Sequence, residues 1–206
     1  MMALIATLLA ATSAAGGQED APRYGAVQKR LYELGHELSL LGGGLPSDPY
    51  YKGITLTAGY TVHLTGWLAW EVAQGTYSYN LDSHLKKEIL RFRTVDKRAF
   101  PEITWAVASH LVLKPLYGKE ALFNTDVVHV EVFLALGPAL VERNIKDNAK
   151  RIPNFGGDGA LGLRLWVTRV VSLRFELGEL VYVVPEGVRN ALHARAGFAF
   201  NLQGEP

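Results

Sequence analysis

The sequence predicts an all-β fold: an eight-stranded, antiparallel, up-and-down transmembrane β-barrel with a polar lumen filled by side chains. Three observations predict it. Apolar and polar residues alternate with a period of two, charges fall on one parity only, and the chain opens on a candidate export signal. In Val128–Leu134 every even position is aliphatic, whereas His129 and Glu131 lie between them. Leu161–Leu165 and Leu173–Leu177 repeat this pattern. A period of two is that of a β-strand, whose successive side chains point to opposite faces.

The N-terminus predicts export. Ala3–Ala11 is a short apolar segment and Ser13–Ala15 is a small-residue cleavage site, although no positive charge precedes them. The segment is too short to cross a bilayer as a helix. We therefore assign residues 1–15 to a signal peptide, residues 16–30 to a short periplasmic segment and residues 31–206 to the barrel. The alternative is a frayed apolar N-terminus.

The composition fits one domain and excludes several functional classes. The 206 residues include 21 Lys and Arg against 20 Asp and Glu, so the net charge is +1 and no strong field indicates a nucleic-acid partner. The chain has no cysteine, which excludes thiolate metal sites, cysteine nucleophiles and a disulfide scaffold. No later segment approaches the ~20 apolar residues of a membrane helix. An exported chain of this kind is periplasmic, secreted or an outer-membrane barrel.

Eight segments carry the strand pattern, each about as long as a tilted membrane strand or a little longer. In order, they are Leu31–Leu41, Gly53–Leu64, Trp67–Tyr79, Ile103–Lys114, Val127–Val141, Gly159–Val167, Val170–Val183 and Val188–Leu202. Eight strands return the chain to its starting side, so both termini are predicted to be periplasmic.

The predicted connections alternate in length. On the periplasmic side we expect two-residue turns at Thr65-Gly66 and Thr168-Arg169 and a longer turn at Pro115–Asp126. The loops expected on the other side are Gly42–Lys52, Asn80–Glu102, Arg143–Gly157 and Pro185–Gly187. The prolines expected at strand ends or in loops are Pro46, Pro49, Pro101, Pro115, Pro153 and Pro185. Pro138 is the exception, late in the fifth strand.

Asn80–Val95 is the one segment with helical spacing, since Leu81, Leu85, Ile89 and Phe92 recur along one face. It is either an amphipathic helix over the barrel mouth or an ordinary solvated loop, and we favour the loop.

The apolar parity is predicted to face lipid, because no charge falls in its main sets and a charge near the bilayer midplane would cost about 2–4 kcal/mol. Its membrane-facing aromatic residues are Tyr60, Trp70, Trp105, Phe175, Phe198 and Phe200. His36 and Glu179 do not fit. His36 is tolerable near the periplasmic rim, and Glu179 would turn inward only if Gly178 marked a bulge.

The opposite parity is predicted to line the lumen, where four acids and four bases form a charge network. These residues are Glu37, Glu71, Lys114, Glu131, Arg164, Arg174, Glu176 and Arg195. The histidines on the same parity are His63, His110, His129 and His193. Unpaired charges are too costly for a soluble core, but a narrow eight-stranded barrel can be filled by such pairs, so a conductive channel is not expected. The alternative is a secreted, lipocalin-like barrel or sandwich with its charges outside.

No catalytic, cofactor-binding or metal site is predicted. His129 and Glu131 could begin a metal site or an acid–base pair, but histidines in a polar lumen more often join hydrogen-bond networks. Ser109 and His110 are adjacent and therefore point to opposite faces of a strand, so they do not form a hydrolase triad. The glycines of Asn154–Gly159 lack the helix and lysine of a phosphate loop and are interpreted as a turn.

Several segments are similar to a known family. They are Ala26–Tyr32, Leu45–Gly53, Trp67–Val72, Lys114–Lys119, Gly162–Trp166 and Ala196–Leu202. Together they resemble the outer-membrane β-barrel proteins of myxobacteria and related deltaproteobacteria, which are small OmpA-like barrels, over nearly the whole mature chain. The resemblance implies an outer-membrane barrel without catalytic residues, with some relatives in envelope assemblies including the gliding machinery. It also implies a terminal aromatic strand for insertion, although Gln203–Pro206 extends past the usual final phenylalanine.

The sequence therefore predicts a non-enzymatic structural or interaction component of the Gram-negative outer membrane. In this interpretation Asn80–Glu102 and Arg143–Gly157 would be presented to partners outside. The expected partners are outer-membrane lipid and lipopolysaccharide, the barrel assembly machinery during insertion, and other envelope proteins, but no nucleic acid and no cofactor. One alternative is a narrow porin-like pore or transport accessory, and a further one is a lipid-modifying barrel enzyme.

Overall fold

A computed structural model describes residues 35–46, 51–82, 102–122, 126–145, 150–185 and 187–202 of this protein, which form a closed barrel. Its strands are β1 (His36–Leu45), β2 (Tyr51–His63), β3 (Leu68–Asp82), β4 (Glu102–Leu122), β5 (Asp126–Ile145), β6 (Lys150–Trp166), β7 (Val171–Val184) and β8 (Gly187–Leu202). Consecutive strands pair antiparallel, and β1 pairs with β8 to close the ring. The predicted eight-stranded, antiparallel, up-and-down barrel is confirmed. Within the described ranges, no helix is long and apolar enough to cross a membrane.

The barrel has two ends. The terminus end holds the start of β1, the end of β8 and the connections β2–β3, β4–β5 and β6–β7. The other eight strand ends form the loop end. The connections 64–67 and 167–170 each contain four residues between strands, where two-residue turns were predicted. The side-chain oxygen of Thr65 accepts a hydrogen bond from the Leu68 amide, and that of Thr168 accepts one from the Val171 amide. Threonine therefore closes both connections by the same side-chain-to-backbone contact.

The middle strands are longer than predicted. β4, β5 and β6 contain 21, 20 and 17 residues. The predicted turn Pro115–Asp126 is wrong for most of its length, because β4 continues to Leu122. The predicted loop Arg143–Gly157 is also wrong, because β5 continues to Ile145 and β6 begins at Lys150.

The predicted loop Gly42–Lys52 is wrong at both ends for the same reason. Residues 42–45 belong to β1 and pair with residues 53–56 of β2, while residues 51 and 52 already belong to β2. Glycines at positions 42, 43 and 44 leave no side-chain alternation to mark a strand, yet their backbone groups still pair with the neighbouring strands.

Two prolines that were expected outside strands lie within them. Pro115 falls at a register irregularity between Leu113 and Leu116 of β4. Pro153 lies in β6 opposite Glu142, before the point where the described β6–β7 ladder begins at Gly156. A bulge and a sheet edge are the places where a residue without an amide hydrogen can be accommodated in a strand.

Some of the predictions concern other parts of the chain. The predicted signal peptide and N-terminal segment lie outside the described residues. The helical pattern Asn80–Val95 begins within β3, which contains residues 80–82, and its remaining residues lie outside the described ranges.

Burial alternates along the strands with charges inside and hydrophobic side chains outside. In β1 and β7 the pattern is regular over most of the strand. Glu37 and Arg174 are almost completely buried, whereas Leu56 and Leu177 are more than half exposed. The barrel is thus the inverse of a soluble protein, in which apolar residues occupy the interior.

Candidate functional site: the charged lumen

The charged lumen is centred on Glu37, which projects inward from β1 near the terminus end. Its Oε1 accepts a hydrogen bond from Nη2 of Arg164 at 2.7 Å and from Nη1 of Arg174 at 3.4 Å. Its Oε2 lies 3.1 Å from Nε2 of His63. One carboxylate therefore joins cations from β6 and β7 to a histidine from β2 across the interior.

His63 relays this contact to β4. Nζ of Lys114 lies 2.8 Å from Nδ1 of His63 and can only donate. Nδ1 is then the acceptor, so Nε2 carries the proton that His63 donates to Glu37. The order of donors fixes the tautomer of the ring.

Two arginines extend the network across the barrel. Nη1 of Arg164 donates to Oε1 of Glu131 at 3.0 Å. Nη2 of Arg174 lies 3.1 Å from Oε1 of Glu71 and 2.5 Å from Oε1 of Glu176. Each guanidinium thus lies between carboxylates of different strands, which is the geometry in which a buried arginine is best compensated.

A second branch rises from Glu71 toward the loop end. Nδ1 of His110 lies 2.8 Å from Oε2 of Glu71, and its Nε2 lies 3.1 Å from Oδ2 of Asp158. Nε2 of His193 lies 2.9 Å from Oδ1 of Asp158. Because His110 faces a carboxylate at each ring nitrogen, it satisfies both only when both nitrogens carry a proton.

Arg195 completes the branch. Its Nη1 donates to the side-chain oxygen of Gln74 and lies 3.6 Å from Oε2 of Glu176, while Nη2 lies 3.6 Å from Oδ2 of Asp158. We call these linked groups the charged network. It comprises Glu37, His63, Glu71, Gln74, His110, Lys114, Glu131, Asp158, Arg164, Arg174, Glu176, His193 and Arg195.

Aromatic rings close the network at the terminus end. Phe133 is completely buried, and its ring centroid lies 4.9 Å from the guanidinium carbon of Arg174 and 5.6 Å from that of Arg164. The guanidinium of Arg164 also lies 5.7 Å from the Trp166 ring. A Cβ on Gly162 would lie 2.0 Å from the Phe133 ring. Glycine at position 162 therefore makes the space into which Phe133 packs.

The structure places all eight charged residues assigned to the lumen inside the barrel, each less than a tenth exposed. The four histidines of the same parity are buried as well, and the Tyr117 and His129 rings stack with centroids 6.0 Å apart. Ser109 and His110 lie on opposite faces: Oγ of Ser109 accepts from Nε1 of Trp70, whereas His110 contacts the carboxylates inside. They cannot form a hydrolase triad.

Sequence reasoning missed Asp158, which joins His110, His193 and Arg195 in the second branch. The cause was the interpretation of Asn154–Gly159 as a turn, which is wrong because these residues lie within β6. Counting back in steps of two from Arg164 through Gly162 and Ala160 reaches Asp158 on the inward parity. Parity was therefore the available signal. Gln74 was missed because the β3–β4 register shifts between residues 71 and 74, and no sequence pattern marks that bulge.

Above the charged network, the loop half of the lumen contains an apolar cluster together with buried polar side chains, among them Thr55, Ser78, Arg143 and Asn154. This apolar cluster comprises Leu45, Ile103, Ala108, Ala139, Val141, Leu180, Tyr182, Val184 and Ala191, with Ala106 packed against it. A small cavity separates the two layers, bounded by His193, Asp158 and Arg195 below and by Leu45 and Leu180 above.

The outer face carries the six aromatic residues assigned to it, and all of them are exposed. His36 is exposed at the terminus end, with its ring stacked on Tyr60 and its Nδ1 2.8 Å from the Tyr60 hydroxyl. Glu179 also points outward, because the β6–β7 and β7–β8 registers run through Gly178 without the bulge that could have turned it inward. Its Oε1 accepts a 2.5 Å hydrogen bond from Asn190.

The arrangement places charges of both signs in close contact inside the barrel. Among the residues that the structure describes, no group of three or more His, Asp or Glu side chains is arranged to hold a metal ion. The carboxylate oxygens of Glu37 and Asp158 contact arginine or histidine through hydrogen bonds. Oε1 of Glu71 and both oxygens of Glu176 have no hydrogen-bond partner in the described part of the chain and contact arginine only as ion pairs.

Comparison with known proteins adds little to this description. No family model and no curated protein matches the sequence. The neisserial surface protein A structure is 10% identical, with 81% of this chain and 94% of that chain covered and a TM-score of 0.46. Ail, the attachment invasion locus protein of Yersinia pestis, is 9% identical, with 81% and 96% covered and a TM-score of 0.37. Likenesses this weak do not indicate a function, so the function of this protein must be inferred from its own residues.

Proposed function

We propose that this protein is a transmembrane β-barrel of the Gram-negative outer membrane that acts without catalysis, as a structural or interaction component of the envelope. The observation that carries the proposal is the inverted distribution of side chains, with an ionic interior and an apolar exterior. A protein surrounded only by water would neither bury so many charges nor expose so many large hydrophobic side chains.

The exterior supports a lipid environment. Large hydrophobic side chains are exposed on every strand, among them Leu40, Ile54, Trp105, Leu136 and Phe198. A soluble monomer rarely exposes an apolar patch larger than about 300–600 Å², whereas here the band surrounds the barrel. In a bilayer the same surface is favourable, and the closed sheet leaves no unpaired edge to lipid over the segment where all eight ladders run.

The interior supports a lumen that is blocked by side chains. Arg164 and Arg174 extend into the lumen with Phe133 packed against both guanidinium groups. The carboxylates that neutralise these arginines come from strands on different sides of the barrel. Passage of a hydrated ion would require these pairs to separate, so we expect no stable conductance.

Localisation and partners follow from the same proposal. We expect the terminus end to face the periplasm and the loop end to face outward, in contact with lipopolysaccharide. The aromatic strand β8, with Phe198 and Phe200 on its outer face, is suited to recognition by the barrel assembly machinery. Membership of a larger envelope or motility assembly is the finer part of the proposal, and crosslinking in intact envelopes followed by co-purification tests it.

The fold and location are tested together on the full chain expressed in a Gram-negative host. The folded barrel should resist carbonate extraction of the outer-membrane fraction and should migrate differently on a gel before and after boiling. A chain that leaves the membrane with carbonate and runs identically in both states contradicts the proposal.

The closed lumen is tested by planar-bilayer recording of the purified barrel, for which no stable ohmic conductance is expected. Reproducible ohmic steps that disappear when the protein is omitted would overturn the closed lumen and favour a narrow pore.

A further inference from the structure

Four arginines of the described ranges are buried inside the barrel, and their charges are not equally compensated. Arg164, Arg174 and Arg195 each have a carboxylate oxygen within 4 Å. Arg143, which is only 4% exposed, has none among the residues that the structure describes. Nη2 of Arg143 donates a 3.3 Å hydrogen bond to Oδ1 of Asn154. The guanidinium carbon of Arg143 lies 5.9 Å from the centroid of the Tyr182 ring.

Among the described residues, these contacts leave the buried guanidinium of Arg143 without a carboxylate oxygen within 4 Å. A neutral amide oxygen and an aromatic face each stabilise a guanidinium, but neither supplies the negative charge that offsets its desolvation. Nε of Arg143 has no hydrogen-bond partner in the described part of the chain, but this is equally true of Nε of Arg164, Arg174 and Arg195, so the missing carboxylate is what distinguishes Arg143. A guanidinium presents its donors in a planar fork, which is the geometry that matches a carboxylate or phosphate.

The carboxylates of the charged network cannot serve as this counter-ion. Arg143 projects inward at the loop end, beside the apolar cluster member Tyr182. Asp158, the network acid nearest to the loop end, lies four residues along β6 from Asn154, or roughly 13 Å at the rise of a β-strand. Asp158 already accepts hydrogen bonds from His110 and His193.

We propose that Arg143, with Asn154 and Tyr182, forms an oxyanion-binding site at the loop end of the lumen. The ligand class is a carboxylate or phosphate group, either as a free anion or as the headgroup of a lipid. The site is a property of the barrel interior and does not depend on the envelope role proposed above.

The test uses the purified, folded full chain in uncharged detergent and chloride buffer, titrated with inorganic phosphate or acetate by calorimetry. The wild-type protein should bind at least one of the two saturably. Arg143→Gln should weaken binding at least about tenfold, and Arg143→Lys less, because lysine keeps the charge but loses the fork. Arg169→Gln is the matched control, because Arg169 is exposed in the 167–170 connection at the terminus end, away from the site, and its loss changes the net charge equally. Binding by Arg169→Gln should stay within about twofold of wild type on the same affinity scale.

A second variant keeps the proposal testable if Arg143→Gln does not fold. Asn154→Asp places a carboxylate at the position that already accepts from Arg143, and this internal counter-ion should abolish anion binding. In chloride buffer without phosphate or acetate, Asn154→Asp should also have a higher midpoint of thermal unfolding than wild type. Addition of phosphate or acetate should raise the midpoint of the wild-type protein only.

The source of the ligand is resolved by mixed micelles that contain phosphatidylglycerol or an uncharged lipid. If phosphatidylglycerol competes with phosphate and the uncharged lipid does not, the ligand is a lipid headgroup. If neither lipid competes, the ligand is a free anion. The proposal is overturned if neither anion binds saturably, if Arg143→Gln and Arg169→Gln behave alike, or if Asn154→Asp binds phosphate as wild type does.

Discussion

The charged network and the apolar cluster fill two halves of one lumen by different physics. In the terminus half, the carboxylate of Glu37 contacts Arg164, Arg174 and His63, so each contact depends on groups from other strands. In the loop half, side chains such as Ile103 and Leu180 pack by shape and volume. When a substitution removes one member of a buried ion pair, the full stability of the pair is lost, because the other member remains charged and buried. When a substitution shortens an apolar side chain, the stability lost is in proportion to the atoms removed.

The comparison explains what each half contributes to the barrel. Members of the charged network come from all eight strands, so the ion pairs specify which strands face each other across the lumen as well as which are neighbours. The apolar cluster has no such directionality, and it excludes water above the network. We therefore expect substitutions in the network to be more costly than volume changes in the cluster.

The largest effect is expected for Glu37→Gln. Removal of one partner from a buried ion pair costs about 3–5 kcal/mol, because the remaining charge stays desolvated. Here two arginines lose the carboxylate, and the glutamine amide would direct a donor at His63 or Arg164. The free energy of unfolding should fall by that amount in urea titrations of the folded barrel, followed by tryptophan fluorescence. A loss below about 1 kcal/mol would mean that the lumen is hydrated and the pairs are weak, as surface pairs are.

A smaller loss is expected for Gly162→Ala, which tests how tightly the network is packed. The new methyl group would lie 2.0 Å from the Phe133 ring, and overpacking of this kind costs about 1–3 kcal/mol. Phe133→Leu in the same chain should recover part of the loss, since it removes ring atoms at the point of conflict. Gly75→Ala is the control, because a Cβ at position 75 meets no atom within 4 Å. Equal effects of the two glycine substitutions would show that backbone propensity, and not packing, sets the cost.

In the apolar cluster, Ile103→Val should lower the free energy of unfolding by about 0.5–1.5 kcal/mol, the range for loss of one buried methylene. Ile54→Val on the exposed outer face is the matched control and should change stability less. The same urea titration in lipid bilayers measures both. A cost at Ile103 as large as that of Glu37→Gln would remove the proposed difference between the two halves.

Sequence alternation predicted the charged half well and the apolar half poorly, for a physical reason. Charge can lie on only one face of a lipid-exposed strand, so Glu131 and Arg164 reveal their parity directly. Near the loop end both faces of β7 are apolar, as in Leu180 to Val184, and no contrast marks the inner face.

Strand ends and bulges were also beyond the sequence signal. Glycine-rich stretches such as residues 154–159 resemble turns, yet a Cβ on Gly156 would lie 2.1 Å from the Val181 carbonyl oxygen. Close backbone approach between β6 and β7 explains why glycine is needed within this strand. Register shifts such as the one between Glu71 and Gln74 depend on how neighbouring strands pair, which local sequence does not encode.

The smallest effect is expected for Glu179→Gln, which makes the same chemical change as Glu37→Gln on the opposite face. Glu179 projects outward, on the face for which we propose contact with lipid, and Asn190 donates a hydrogen bond to its carboxylate. Loss of an outward carboxylate near the interface should stabilise the barrel by about 0–1 kcal/mol in a bilayer, and less in detergent, where water reaches the group. Opposite signs for the two glutamates, measured in the same liposomes, would be the direct thermodynamic signature of an inverted barrel. A loss of stability at Glu179 comparable to that at Glu37 would instead indicate that the outer face is solvated, and the membrane assignment would then fail with it.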